Sequence, residues 1–216
     1  MSPEPALRDP PASDLALPAA RLMERETRRR FAPVAAVLDG IAVEPGHSLL
    51  RGDAFVLNAG RDIVFHYRRG EGVTVSAPPQ AEAGEVELWF NGSVYAAIAS
   101  LNGLLPFHAS AIAHEGRVHA FSAPPGGGKS TLTAALGREG FALFCDDTLI
   151  LDISDPDRIM CLPGHKRLKL WPDALDLTGA TGEEQVSAGY PKVFASPSAG
   201  AVSQAAAGRN GLSRAG

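Results

Sequence analysis

Long apolar runs are missing from this chain of 216 residues, and no stretch is long enough to span a bilayer. The opening, Met1 to Pro18, is interrupted by Glu4, Arg8, Asp9 and Asp14, so it lacks the apolar core of a signal peptide. These absences predict a cytoplasmic protein without a membrane partner. Basic residues are not in excess either. The formal charge is −4, which argues against a general nucleic-acid binder, since such a protein carries a basic footprint. The one basic cluster, Arg28-Arg29-Arg30, reads as the solvated face of a short helix or as a partner patch. Cysteine is scarce. The two present, Cys145 and Cys161, have no CxxC or Cys/His spacing, which leaves a zinc site without support and predicts a reduced, buried pair of thiols.

What the chain does have is a run of glycines where an anion would need them. Ala123-Pro124-Pro125-Gly126-Gly127-Gly128-Lys129-Ser130 has the pattern of a phosphate-binding loop, with Ala at its first position in place of the usual Gly. An apolar run, Val118 to Phe121, precedes it and reads as a strand; Thr131 to Leu136 follows and reads as a helix. Such a loop wraps backbone N–H groups around phosphate oxygens while the helix N-terminus adds partial positive charge. Lys129 would reach the β- and γ-phosphates, Ser130 would hold Mg²⁺, and Thr131 completes the loop. Glycines admit an anion that a Cβ would hold off. The motif predicts binding of a nucleoside triphosphate; a Gly-rich turn between strand and helix is the plainer alternative.

Elsewhere the pattern divides the chain. Residues 1–20 carry five prolines and read as a disordered arm. Residues 21–83 read as a small β-rich domain, with short apolar runs at 41–43, 54–57, 62–67 and 73–75 separated by turn residues. Residues 84–194 read as a P-loop domain, which the resemblance described below implies is kinase-like and C-terminally incomplete. It opens with a helical period from about Val86 to Leu105 that Pro106 ends. A β-hairpin follows over Phe107–Phe121, turning at His114-Glu115-Gly116. Residues 195–216, mostly Ala, Ser and Gly, read as a disordered tail.

A triphosphate site needs a second metal anchor, usually a carboxylate at the end of a neighbouring buried strand. Asp146 closes the apolar strand Phe141–Cys145 and fits that role. Asp147 beside it is a candidate base for an attacking hydroxyl. Because a strand alternates its faces, the two can share one site only if the chain turns or bulges there; a solvated Asp-Asp turn is the alternative. His108, in a stretch of small residues, is either a satisfied core histidine or part of the site. His47, His66, His114, His119 and His165 have weaker claims.

Taken together, Phe107-His108-Ala-Ser, Ala123-x4-Gly-Lys129-Ser130 and Asp146-Asp147 resemble the catalytic domain of HPr serine kinase/phosphorylase and its kinase homologues. Order and separation agree, with 129 − 108 = 21 and 146 − 129 = 17. The resemblance covers about Leu105 to Pro172. It implies an α/β architecture: a P-loop nucleotide-binding domain of the HPr kinase/phosphoenolpyruvate carboxykinase type, preceded by a small β-rich domain. It implies that His108 and Lys129 are active-site residues, that Ser130 and Asp146 serve the metal, and that Asp147 accepts the substrate hydroxyl proton. ATP and Mg²⁺ are the implied cofactors, a serine-bearing protein or peptide the implied partner, and a homo-oligomer the implied assembly.

The segment Leu168-Lys-Leu-Trp-Pro172 and the β-rich region are similar to divergent HPr-kinase-like proteins. Some of those accompany lasso-peptide and other peptide-modifying gene clusters and phosphorylate a serine of the precursor peptide. No Glu-Ile-Arg-Gly-like stretch follows the aspartates; Pro172 and Asp173 stand about there, with Asp173 a substitute candidate, and the reverse phosphorylase activity is not expected. Two other functions stay open: a nucleotide-binding regulator that does not transfer phosphate, and a kinase of a small molecule.

Overall fold

Left-handed turn residues lay out the first third of the chain. The computed structural model describes residues 18–162, 168–187 and 190–196. Helix α1 (Pro18–Glu26) leads into β1 (Arg29–Phe31), then a ribbon of β2 (Val37–Leu38) and β3 (Ile41–Ala42). Strands β4 (His47–Arg51), β5 (Ala54–Gly60), β6 (Ile63–Arg68) and β7 (Gly72–Ser76) follow. Positive φ at Gly52, at Arg61 and Asp62, and at Gly70 turns each strand back on the last, and β4 to β7 pair antiparallel in sequence order. The runs expected at 54–57, 62–67 and 73–75 are thus neighbours in one sheet, while Ile41–Ala42 pairs with β2 in a separate ribbon.

Two outcomes differ from the sequence reading. The cluster Arg28-Arg29-Arg30 is not on a helix: Arg29 and Arg30 belong to β1, which joins the sheet parallel to β7. Pairing with the sheet overrides the charge pattern, and the two guanidinium groups bond to Glu87 and Thr74. Residues 18–20 of the expected arm belong instead to α1, where Ala19 is buried, and its residues 1–17 lie outside the described residues.

The helical segment comprises α2 (Ala83–Trp89), a π-helical turn (Phe90–Val94) and α3 (Tyr95–Leu101). It ends earlier than expected. Gly103, at φ +78°, takes the left-handed cap position and the Leu104 amide bonds back to the Ala99 carbonyl, which closes the helix. Pro106 lies instead in a strand, β8 (Leu105–Phe107). The stripe Val86, Phe90, Val94, Ile98 and Leu101 packs with Phe55, Leu57, Phe65 and Val75 in one apolar cluster, which crosses residues 83 and 84. Each such side chain contributes about 1.5–3 kcal/mol by burial.

The second half places the loop. Strands β9 (Ser110–His114) and β10 (Arg117–Phe121) form the expected hairpin, and positive φ at both Glu115 and Gly116 makes its tight turn. Phe107 is not part of it, since β8 pairs with another sheet. Helix α4 (Lys129–Arg138) follows β10, and β11 (Ala142–Cys145) follows α4. Both β10 and β11 run antiparallel to β9 between them, so they are parallel to each other and α4 is their crossover. Next come β12 (Leu149–Asp155) and β13 (Arg158–Leu162), which with β8 form the sheet β13-β12-β8. A third set, β14 (Leu168–Leu170), β15 (Thr181–Ser187) and β16 (Tyr190–Ser196), surrounds α5 (Pro172–Thr178).

The chain is therefore mixed α/β with several sheets and few helices. The expected tail over 195–216 does not hold at its first two residues. Ala195 is buried and closes β16 with Ser196, and residues 197–216 lie outside the described residues. Among the described residues, no helix is long and apolar enough to cross a membrane.

Candidate active site

Three glycines shape the loop at 123–130 for two reasons. Gly126 and Gly128 both sit at φ +80°, in the left-handed region that L side chains avoid, and a Cβ at either would meet open space. Gly127 is different: a Cβ there would lie 2.8 Å from the Ala123 Cβ and 3.0 Å from the Pro124 carbonyl oxygen. The loop folds on itself at that point, with the Gly127 amide donating to Pro124 O at 2.9 Å. Pro125 follows with its own φ restricted by its ring. Gly128 then caps α4, so Lys129, Ser130 and Thr131 form its first turn, where amides point outward unpaired. The Lys129 ammonium bonds the Ala123 carbonyl oxygen at 2.9 Å. That is a neutral acceptor which a phosphate, being anionic, outcompetes.

Asp146 gathers the surrounding elements. Its Oδ1 accepts from the Ser130 hydroxyl at 2.9 Å and from the Ser110 hydroxyl at 2.5 Å, and its Oδ2 accepts from the Lys169 amide at 3.0 Å. The carboxylate is buried. It is a fixed anion beside the loop's hydroxyl, the position a second metal anchor requires. Asp147 reaches the same region because the chain turns there: its φ is +78°, and β11 has a register shift between Leu143 and Cys145. The strand's alternation is broken, so the two carboxylates do not face opposite sides of a sheet.

Asp147 has two cationic or potentially cationic neighbours. Its Oδ2 accepts from the Lys169 ammonium at 2.8 Å, and its Oδ1 lies 3.3 Å from His108 Nδ1. Burial pushes its pKa upward, but the Lys169 charge and hydrogen bond, with smaller help from His108 and Lys192, more than offset this; its pKa lies below the ordinary value. His108 Nδ1 also lies 2.9 Å from the Asp147 backbone oxygen. A carbonyl only accepts, so Nδ1 carries the hydrogen and Nε2 is the free nitrogen. His108 sits between β8 and β9, at the crossing from one sheet to another, with its side chain more than half exposed. It stands exposed beside Asp147 and is not a core histidine.

Sequence reading missed Lys169 and gave Ser110 no role. A lysine between two leucines in a three-residue strand looks like a solvated side chain, yet Lys169 is only 8% exposed on its side chain. The weak signal available was its place among the apolar residues of 168–171. Asp173, the expected substitute for a metal-binding glutamate, accepts a hydrogen bond from the Ala174 amide at the start of α5; Lys169 is what that segment brings to the aspartates. His47, His66, His114 and His119 lie on β4, β6, β9 and β10, and none shares a recorded bond with the aspartates. His165 lies outside the described residues.

Among the described residues, no cluster of three or more His, Cys, Asp or Glu side chains forms a metal cage. Ser130 and Asp146 are two oxygen donors, and a magnesium ion held mainly by phosphate oxygens and water needs no more from the protein. Cys145 and Cys161 are free and buried, as the sequence predicts. Burial pushes the Cys161 thiol up to about 11 and the Cys145 thiol higher still, Asp146 adding to the effect there.

No protein-family model, no curated protein and no solved structure matches the chain.

Proposed function

We propose that the chain is an ATP- and Mg²⁺-dependent kinase that phosphorylates a hydroxyl, serine of a protein or peptide being the acceptor. The observation that carries this reading is the pair of adjacent carboxylates with separate duties. Asp146 is bonded to the loop's Ser130, and Asp147 is turned by its left-handed backbone toward His108 and Lys169. A nucleotide-binding turn alone has no use for the second carboxylate. The finer fold belongs with this reading: β10, the loop, α4 and β11 form a P-loop unit of the HPr kinase/phosphoenolpyruvate carboxykinase type, with the β-rich part ahead of it as a small accessory domain. Free buried thiols suit the reducing cytoplasm, where ATP is supplied.

The amides of 126–130 and the α4 N-terminus bind the triphosphate, and Lys129 leaves Ala123 for the β- and γ-phosphates. Ser130 and Asp146 would hold Mg²⁺, whose charge would offset that of the phosphates. Asp147 aligns the acceptor hydroxyl. As the hydroxyl oxygen bonds to the γ-phosphorus, the bond to the ADP oxygen breaks and the hydroxyl proton passes to Asp147 and then to water. A carboxylate with a lowered pKa is ionised at neutral pH but a weak base. That suits a loose transition state in which the proton leaves late. Lys169 and His108 fix its orientation.

Incubation with [γ-³²P]ATP, Mg²⁺ and serine-bearing peptides, with Asp147→Asn as control, tests the reading. Label on a peptide that is lost in the control supports it. ATP binding without transfer to any acceptor overturns it in favour of a nucleotide-binding regulator.

A further inference from the structure

Beside Asp147 lies a cavity of about 360 Å³. Its walls are Gly92 and Ser93 of the π-helical turn, Ala96 of α3, Phe107 of β8, and His108 with Asp147. No residue of 123–131 lines it. This size is at the lower end of the range of about 300–1,000 Å³ for small-ligand pockets. It suits a hydroxyl-bearing group with short flanks better than a whole nucleotide.

From this we infer that the π-helical turn is the wall of the acceptor site, and that the acceptor is a serine hydroxyl in a peptide whose neighbouring residues are apolar and uncharged. The inference rests on the kinase reading above and adds to it the acceptor's class and the residue that makes room for it.

Three observations carry it. First, Gly92 faces the reacting carboxylate: a Cβ built there would lie 4.0 Å from Asp147 Oδ2. A methyl group fits at that distance, but a longer side chain would fill the space the hydroxyl needs. The π-helical turn, a local widening of an otherwise α-helical segment, is what places Gly92 there, and such turns recur at functional sites.

Second, among the described residues the lining holds no lysine or arginine, and its Asp147 carboxylate is already paired with Lys169. An anionic acceptor such as a phosphorylated sugar would have to compete with Asp147 for the Lys169 ammonium. A neutral hydroxyl meets no such penalty.

Third, β8, which supplies Phe107 to the cavity wall, carries exposed apolar side chains. Leu105 and Phe107 point the same way from β8, two residues apart, and are 45% and 42% exposed. Pro106 between them has no N–H, so the free edge of β8 is a poor template for strand pairing. A peptide would therefore be read by apolar packing on this strand and not by extension of the sheet.

The test uses the full chain, [γ-³²P]ATP and two degenerate peptide libraries with a fixed central serine. One library has Leu, Val and Phe at the flanking positions, the other Asp and Glu. The parent should label the apolar library at least tenfold over the acidic one. Gly92→Ala should retain labelling. Gly92→Leu should lose it more than tenfold while affinity for a non-hydrolysable ATP analogue changes less than twofold, which also shows that the variant is folded. Phe107→Ala, at an exposed side chain, should reduce the apolar preference with nucleotide affinity intact. Labelling by Gly92→Leu at the parent rate, or equal labelling of the two libraries, would overturn this inference and leave the kinase reading standing. Failure of the parent to label either library, or any other hydroxyl acceptor, would overturn the kinase reading and this one with it.

Discussion

Replacing Lys169 by methionine removes the cation from Asp147 while keeping a side chain of similar length in a buried slot. The magnitude follows from the geometry. At 2.8 Å and an effective dielectric of about 20, the Coulomb attraction is about 6 kcal/mol. Desolvation of both ions opposes it, and breaking a fully buried pair from one side typically costs about 3–5 kcal/mol. Asp147 keeps a third of its side-chain exposure, so water screens the remaining charge and the expected loss is about 2 kcal/mol.

A double-mutant cycle with Asp147→Asn isolates the pair: Lys169→Met should cost about 2 kcal/mol less in the Asn background than in the parent. Asp147 has a pKa below its ordinary value of 3.8 in the folded chain. The coupling is therefore fully present above that value and lost as pH falls through the lower, folded one. Urea unfolding of the four proteins, followed by circular dichroism from pH 7 down to pH 3, measures it. A coupling below about 0.5 kcal/mol at pH 7, or one that does not shrink in acid, would refute the assignment of Lys169 as the counter-charge of Asp147.

Lys129→Ala should abolish measurable ATP binding by calorimetry, because the loop loses its side-chain cation for the β- and γ-phosphates; affinity equal to the parent's removes the loop assignment. Asp147→Asn should leave nucleotide affinity nearly unchanged and depress phosphoryl transfer by about 10², whereas Asp146→Asn should weaken Mg²⁺-dependent binding. The opposite pattern means that the two aspartates exchange roles. Gly127→Ala brings a methyl within 2.8 Å of the Ala123 Cβ, so ATP affinity should fall tenfold or more with a stability loss of about 1–3 kcal/mol. Unchanged affinity in that variant contradicts the loop geometry. Cys161, with its pKa raised to about 11, and Cys145, raised further, should react with a thiol reagent at pH 8 far more slowly in the native chain than in urea. Equal rates refute their burial.

Local signals made the loop and the hairpin before it legible. Glycines with a defined backbone task, an apolar run ahead and a helical period behind need no distant partner to be read. Asp146 was legible for the same reason, as the polar end of a buried strand. What could not be read depends on chain segments far apart in sequence. Arg29 and Arg30 look helical until β7 supplies a parallel neighbour, and Ala195 looks like tail until β14 and β15 flank its strand. Lys169 looks solvated until Asp147, 22 residues earlier, takes its charge. The helical stripe from Val86 was read correctly as apolar. Its π-helical turn was not, because an extra residue in a turn leaves the hydrophobic spacing almost unchanged over so short a span.

The three donors on Asp146 come from β9, α4 and β14, and synthesis delivers them in that order. A nascent or truncated product that stops before Lys169 would carry the complete phosphate loop and both serine hydroxyls. Oδ2 of Asp146 would still want its amide, and Asp147 its ammonium. Two neighbouring carboxylates without that cation repel each other. Half-made copies would thus hold an unbalanced pair of aspartates although their loop is intact, and the balance would arrive only with the segment that carries Lys169 and, later, Lys192.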